Sequence, residues 1–153
     1  MISLLNNVNW LAVFVASLSS FVIGAVWFGP KTFYPVWKKL LGQESPTERV
    51  KMSGGETALM FGGTYLGGLI QATTLWLIMA LIHALYGAPS LLDGALYGFL
   101  FSIGLGAFAS LGHRMFGQPD FKIYKSLKVW IIESGQDVVA LTVAGIILAA
   151  FQG

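Results

Sequence analysis

From Trp10 to Gly29 the chain runs without one ionisable side chain, and three more long apolar stretches follow. An α-helix needs about 20 mostly apolar residues to cross a hydrocarbon core of about 30 Å. Composition excludes the soluble alternative. Hydrophobic residues make up 56% of the 153 residues and charged ones only 10%, against about 25% charged in an average soluble domain. A soluble fold this poor in charge would expose large apolar patches and aggregate. The chain is therefore expected to be all-α: an integral membrane four-helix bundle, with one short amphipathic helix lying on the membrane surface.

The first span is expected over about 10–29, with Asn7 and Asn9 as caps. Gly29-Pro30 ends it, because the residue before proline is steered away from the α region. It reads as a retained span rather than a signal peptide: no Lys or Arg precedes Lys31, and Trp27-Phe28-Gly29-Pro30 is not a small-x-small cleavage site. If Pro35 opens a helix, Val36, Trp37, Leu40 and Leu41 share one face beside Lys38 and Lys39. That pattern belongs to an interfacial helix. Ser45-Pro46-Thr47-Glu48 has the spacing of a capping box, opening a short polar helix that breaks near Gly54-Gly55. The second span is expected over about 57–86, long enough to tilt or protrude. Gly87-Ala88-Pro89 is a tight turn. Ser90 then caps a third span over about 91–111, with Asp93 as the capping-box acid. After the turn at Gly117-Gln118-Pro119, a last helix opens near Asp120 and crosses over about 129–151. The segments 30–56 and 112–128 are the expected cytoplasmic loops.

Every Lys and Arg falls in those two segments. Lys31, Lys38, Lys39, Arg49 and Lys51 precede the second span, and Arg114, Lys122, Lys125 and Lys128 precede the fourth. Positive charge marks cytoplasmic loops, which puts both ends of the chain on the non-cytoplasmic side. The net charge of +2 gives no reason to expect nucleic acid. With no cysteine, there is no disulfide framework, thiolate metal site or thiol nucleophile.

Water does not drive helices together within lipid, so close van der Waals contact between small residues does more of the work. On the third span Gly94, Gly98, Ser102, Gly106 and Ser110 recur every four residues and predict one continuous small stripe. Gly63 and Gly67 suggest another on the second span. Such stripes suit contact within one bundle, a homo-oligomer seam or a sliding surface.

Glu133 and Asp137 carry the chemistry. Four apart, they share a helix face. Counted from Lys128, they lie roughly 7–8 Å and roughly 13–14 Å deep. An ionisable group near the bilayer centre costs at least about 2.5–3.5 kcal/mol and faces the bundle interior or water. Asp137 is expected to carry a proton or to hydrogen-bond a partner. The pair forms a proton relay or cation site, or else a polar clamp in which Glu133 meets Arg114. Gln71, Ser102, Ser19 and Ser20 lie near the same level, as a midplane polar cavity or as ordinary interhelical hydrogen bonds. His113 ends the third span beside Arg114, as a pH-sensing or simply interfacial group. His83 and Asp93 lie near the opposite end, where they could meet. No His-x-x-x-His or Glu-x-x-His spacing supports a metal site, and no phosphate loop, dinucleotide fingerprint or nucleophile elbow is present. No cofactor is expected. Trp10, Trp27, Trp37 and Trp130 read as an interfacial aromatic belt.

Several of these segments together resemble a known family. Trp10-Leu11-Ala12-Val13 opens the first span, Gly24-Ala25-Val26-Trp27-Phe28-Gly29-Pro30 closes it, and Trp37-Lys38-Lys39-Leu40-Leu41-Gly42 follows. With Phe121 to Ile132 and Ala144-Gly145-Ile146-Ile147-Leu148, they resemble the bacterial membrane proteins grouped as domain of unknown function 1761. Ser134-Gly135-Gln136-Asp137 departs at its last two residues from the Ala-Gly-Tyr-His of that family. The resemblance implies a four-span protein of the bacterial inner membrane and carries no activity and no catalytic residue.

Three functions fit these observations. A homo-oligomeric transporter or channel-like subunit would use the buried carboxylates for a proton or cation. A non-catalytic accessory subunit of a larger membrane assembly would use the glycine-rich seams. An intramembrane enzyme acting on a lipid is the least supported, since no nucleophile or metal set accompanies the acids. The expected partners are the lipid bilayer and a second copy or a larger membrane complex.

Overall fold

The computed structural model of the protein describes residues 6, 8–43, 52–117 and 122–152. These fold entirely into helices: α1 (Trp10–Trp27), α2 (Tyr34–Leu40), α3 (Gly54–Tyr86), α4 (Leu91–Phe101), a π-helical segment (Ser102–Ala107), α5 (Phe108–Phe116) and α6 (Ile123–Ala150). The segment α4–π–α5 forms one rod, and with α1, α3 and α6 it makes four helices long and apolar enough to cross a membrane. The chain is an all-α membrane protein of four crossing helices, with the short α2 between the first two.

Local chemistry sets the helix ends. Asn9 caps α1 by accepting from the Ala12 amide at 3.1 Å, and Ser90 with Asp93 forms a reciprocal capping box at α4. Gly87, at φ +92°, supplies the left-handed residue that ends α3, a conformation open to glycine because it lacks a Cβ. Pro35 sits in the first turn of α2, where its missing N–H costs nothing. At Gly54-Gly55 the structure shows a start, not a break. Ser53 accepts from the Glu56 amide while the Glu56 carboxylate accepts from the Ser53 amide at 2.7 Å. The S-x-x-E spacing at 53–56 is the sequence signal for this start. Asn7, the capping box expected at 45–48, the short polar helix after it, Gln118-Pro119 and the start at Asp120 lie outside the described residues.

The last helix holds the bundle together. α6 packs along α4 and α1, and more lightly on α3. It is buried from Ser126 to Ala149, including Val129, Ile132, Leu141, Ala144 and Leu148. Its seam with α4 is backbone against backbone. A Cβ on Gly98 would overlap the Leu141 carbonyl, and one on Gly94 would overlap the Gly145 carbonyl. At the end away from the basic loops, Ala12, Val13 and Ala16 of α1 meet Ala72, Leu75 and Met79 of α3 and Leu148 of α6. Toward the basic end α3 has no buried residue before Ala72. There it touches α1 through aromatic edges, Phe61 and Tyr65 against Phe21 with centroids 6.3 and 6.0 Å apart.

The two expected stripes differ in what they face. The small residues of the third rod do not form one continuous face. Gly94, Gly98 and Ser102 are buried, but the π-helical segment then inserts a residue into the turn. Ala107 takes the buried position at 4% exposure, a Cβ on Gly106 would meet nothing, and Ser110 faces outward. On α3, Gly63 and Gly67 are exposed, and a Cβ on either would have open space. They are not seams of this bundle.

Candidate functional site

The polar site is assembled where α1 ends. Gly29-Pro30 turns the chain, and the Phe33 amide donates to the Trp27 carbonyl at 3.0 Å, taking up an acceptor the ending helix leaves free, while the Thr32 hydroxyl lies 2.7 Å from the same oxygen. The turn returns a run of aromatic side chains against the bundle. Trp27 stacks on Phe33 with centroids 4.5 Å apart, and Trp37 is met by the edge of Phe28 and by Tyr34.

These tryptophans are more than a belt. The Trp27 indole donates to the Ile132 carbonyl of α6 at 3.0 Å, and a Cβ on Gly135 would sit 3.2 Å from its ring, so the glycine makes room for the indole. Trp37 donates to Glu133 Oε1 at 2.9 Å. Trp130 donates to the Ala107 carbonyl at 2.8 Å, at the end of the π-helical segment. Trp10 alone of the four sits mostly outside, at 57% exposure.

Glu133 is the centre of the cluster. Arg114 of α5 donates to its Oε1 at 2.6 Å and lies 2.5 Å from its Oε2. The carboxylate thus joins three elements: α2 through Trp37, α5 through Arg114, and its own α6. The pairing of Arg114 with Glu133 that sequence allowed is present, and Trp37 is the member the sequence did not single out as part of the site. Glu133→Ala would strand the Arg114 charge and the Trp37 N–H together. Hydrogen bonds to charged groups contribute about 1.5–3 kcal/mol, while partial exposure weakens the ionic part. We expect a loss of about 2 kcal/mol, read as a lower unfolding temperature in detergent, and a smaller loss for Glu133→Gln. An unchanged transition would show that the contact does not hold the fold.

Asp137 lies one turn deeper on α6, half-buried, and accepts no hydrogen bond from any described residue. The other described carboxylates all have donors. Glu56 and Asp93 are held by their capping boxes and Glu133 by Arg114 and Trp37. The Gly98–Leu141 approach and the Trp130–Ala107 hydrogen bond bracket Asp137 at the level of Ser102, where the π-helical segment begins. Ser102 is fully buried and donates to the Phe99 carbonyl at 2.8 Å. Ser20 lies 3.1 Å from the Ala16 carbonyl of its own helix and 3.4 Å from the Ala140 carbonyl of α6, so its one O–H has an acceptor within α1 and a second at the α1–α6 contact.

The remaining candidates lie elsewhere. Gln71 is exposed on α3 and makes no hydrogen bond with a described residue, so it does not join Asp137. His113 is exposed on α5, with its backbone carbonyl accepting from Gly117. Asp93 is engaged by the Ser90 amide and hydroxyl at 2.9 and 2.6 Å rather than by His83.

Four apolar crossing helices, locked at one end by a tryptophan–carboxylate–arginine knot, define the class: a small helical integral membrane protein. The chain belongs to the family described as Protein of unknown function (DUF1761), whose model matches residues 11–149. No curated protein and no solved structure matches it. The segments that carried the resemblance gain a physical meaning here. Trp27, Phe28, Gly29, Pro30 and Trp37 build the turn and the aromatic knot against α6.

Proposed function

We propose that the protein is a small proton- or cation-handling transporter or channel-like subunit of the bacterial inner membrane, with Asp137 as the group that binds and releases the ion. The observation that carries this reading is the contrast between two acids one turn apart. Glu133 is held by two donors, Arg114 and Trp37, whereas Asp137 has none among the described residues although it lies deep in a membrane-crossing helix. Acids in such positions mark ion pathways and proton relays. The π-helical segment at the same level adds support, because π-bulges are frequent at functional sites. The grouping of all basic residues around two loops favours both chain ends on the non-cytoplasmic side. The test is flux of protons and of a panel of monovalent cations into proteoliposomes containing the purified protein. Background flux for every ion would remove the reading.

A second reading has its own observation. Gln71 faces outward near the middle of α3, one turn from Gly67 and two from Gly63, on a half-helix that has no buried residue. An unpaired amide in hydrocarbon is costly, and small residues let helices approach closely. This supports α3 meeting another protein, as in an accessory subunit or a homo-oligomer. Gly67→Leu is expected to reduce cross-linked oligomer or a co-purified partner several-fold in mild detergent, with the monomer fold intact. Recovery of the native protein only as a monomer would argue against both forms.

A further inference from the structure

We infer that the groove between α2 and α6 at the basic end is a binding site for one anionic phospholipid, the phosphate at Lys128 and an acyl chain along the wall below it. The groove is about 300 Å³ and is lined by Val36 and Leu40 of α2 and by Lys128, Ile131 and Ile132 of α6. It is a shallow groove, open to the outside, rather than an enclosed cavity. Four of its five lining residues are aliphatic, so a free phosphate or another soluble anion would find no partner for most of the wall. Val36 and Ile131, 53% and 55% exposed, open it outward to where lipid lies.

Charge selects the head group. Lys128 is exposed and makes no ion pair with a described residue. It stands one turn nearer the basic end than Ile131 and Ile132, where a long lysine stem can lie on apolar surface while its ammonium reaches the interface. The basic residues gathered at this end set the same sign around it, and basic pockets between crossing helices are a recognised way to hold anionic head groups. The groove is also preformed. The hydrogen bond from Trp37 to Glu133 fastens α2 to α6 beside the groove, so its two walls do not need to be brought together when a lipid enters.

The test uses the full chain in nanodiscs of equal phosphatidylglycerol and phosphatidylcholine, released for native mass spectrometry with the retained lipids counted. The wild type is expected to keep one phosphatidylglycerol in preference to phosphatidylcholine by at least about fivefold, the scale of one lysine beside an anionic lipid. Lys128→Glu is expected to bring that ratio to near one. Lys31→Glu, the same charge change at an exposed position that does not line the groove, is expected to leave it unchanged. Equal loss in the two variants would mean diffuse surface attraction and would overturn the site, as would a wild type with no preference. If Lys128→Glu does not fold, Val36→Trp decides the matter with every charge in place. Loss of the retained lipid supports the groove as its seat, and undiminished retention overturns it.

Discussion

Asp137→Asn is expected to lower ion flux in proteoliposomes at least tenfold while leaving the protein as stable as its parent, or more so. The substitution keeps shape and a hydrogen-bonding oxygen and removes the ability to take up and release a proton or to neutralise a cation. Stability separates this outcome from a structural role. Asp137 accepts no hydrogen bond from any described residue and sits one turn from a second carboxylate, so no contact is lost with its charge. An unpaired acid near mid-membrane costs at least about 2.5–3.5 kcal/mol if ionised, so a neutral replacement relieves strain rather than creating it. The paired measurements are flux after reconstitution and thermal unfolding in the same detergent. Full flux in the asparagine variant would remove Asp137 from the mechanism. Destabilisation of more than about 1 kcal/mol, on the scale of a lost hydrogen bond, would reassign it to holding the helices.

The largest effect on stability is expected at Gly98. Its Cα faces the Leu141 carbonyl so closely that an added methyl overlaps main-chain atoms, and no side chain can swing away to accept it. Overpacking of this kind costs about 1–3 kcal/mol, occasionally more, and we expect Gly98→Ala to reach the upper part of that range and Gly98→Leu to prevent native packing. Gly67→Ala is the matched control, since its new methyl meets open space and alanine is the better helix former by up to about 1 kcal/mol. Equilibrium unfolding in mixed micelles compares the two. Equal stability of both alanine variants would contradict the α4–α6 seam.

Architecture was legible because bilayer thickness converts directly into run length, and the Ser90–Asp93 box and the Asn9 cap have fixed spacings. Facing was not. A soluble helix shows which side is inward by its polar stripe, whereas a spanning helix is apolar towards neighbours and lipid alike. Nothing in the run from 57 to 86 marks Gly63, Gly67 and Gln71 as outward, and depth alone groups Gln71 with Asp137. The stripe on the third rod failed for a different reason. A four-residue repeat assumes α geometry throughout, and the π-helical segment moves the inward position from Gly106 to Ala107. The link between Glu133 and Arg114 was legible because both are charged and lie at one end. Trp37 was less so, since an interfacial tryptophan and a donor to a buried carboxylate look identical in a sequence.

Oil is indifferent to how a greasy cylinder is spun about its long axis. The Glu133 carboxylate removes that indifference. Gripped on one flank by an indole from residue 37 and on another by a guanidinium from residue 114, it gives α6 a single azimuth. That azimuth decides which way Asp137 looks, so a contact toward the basic end aims an acid one turn further inside.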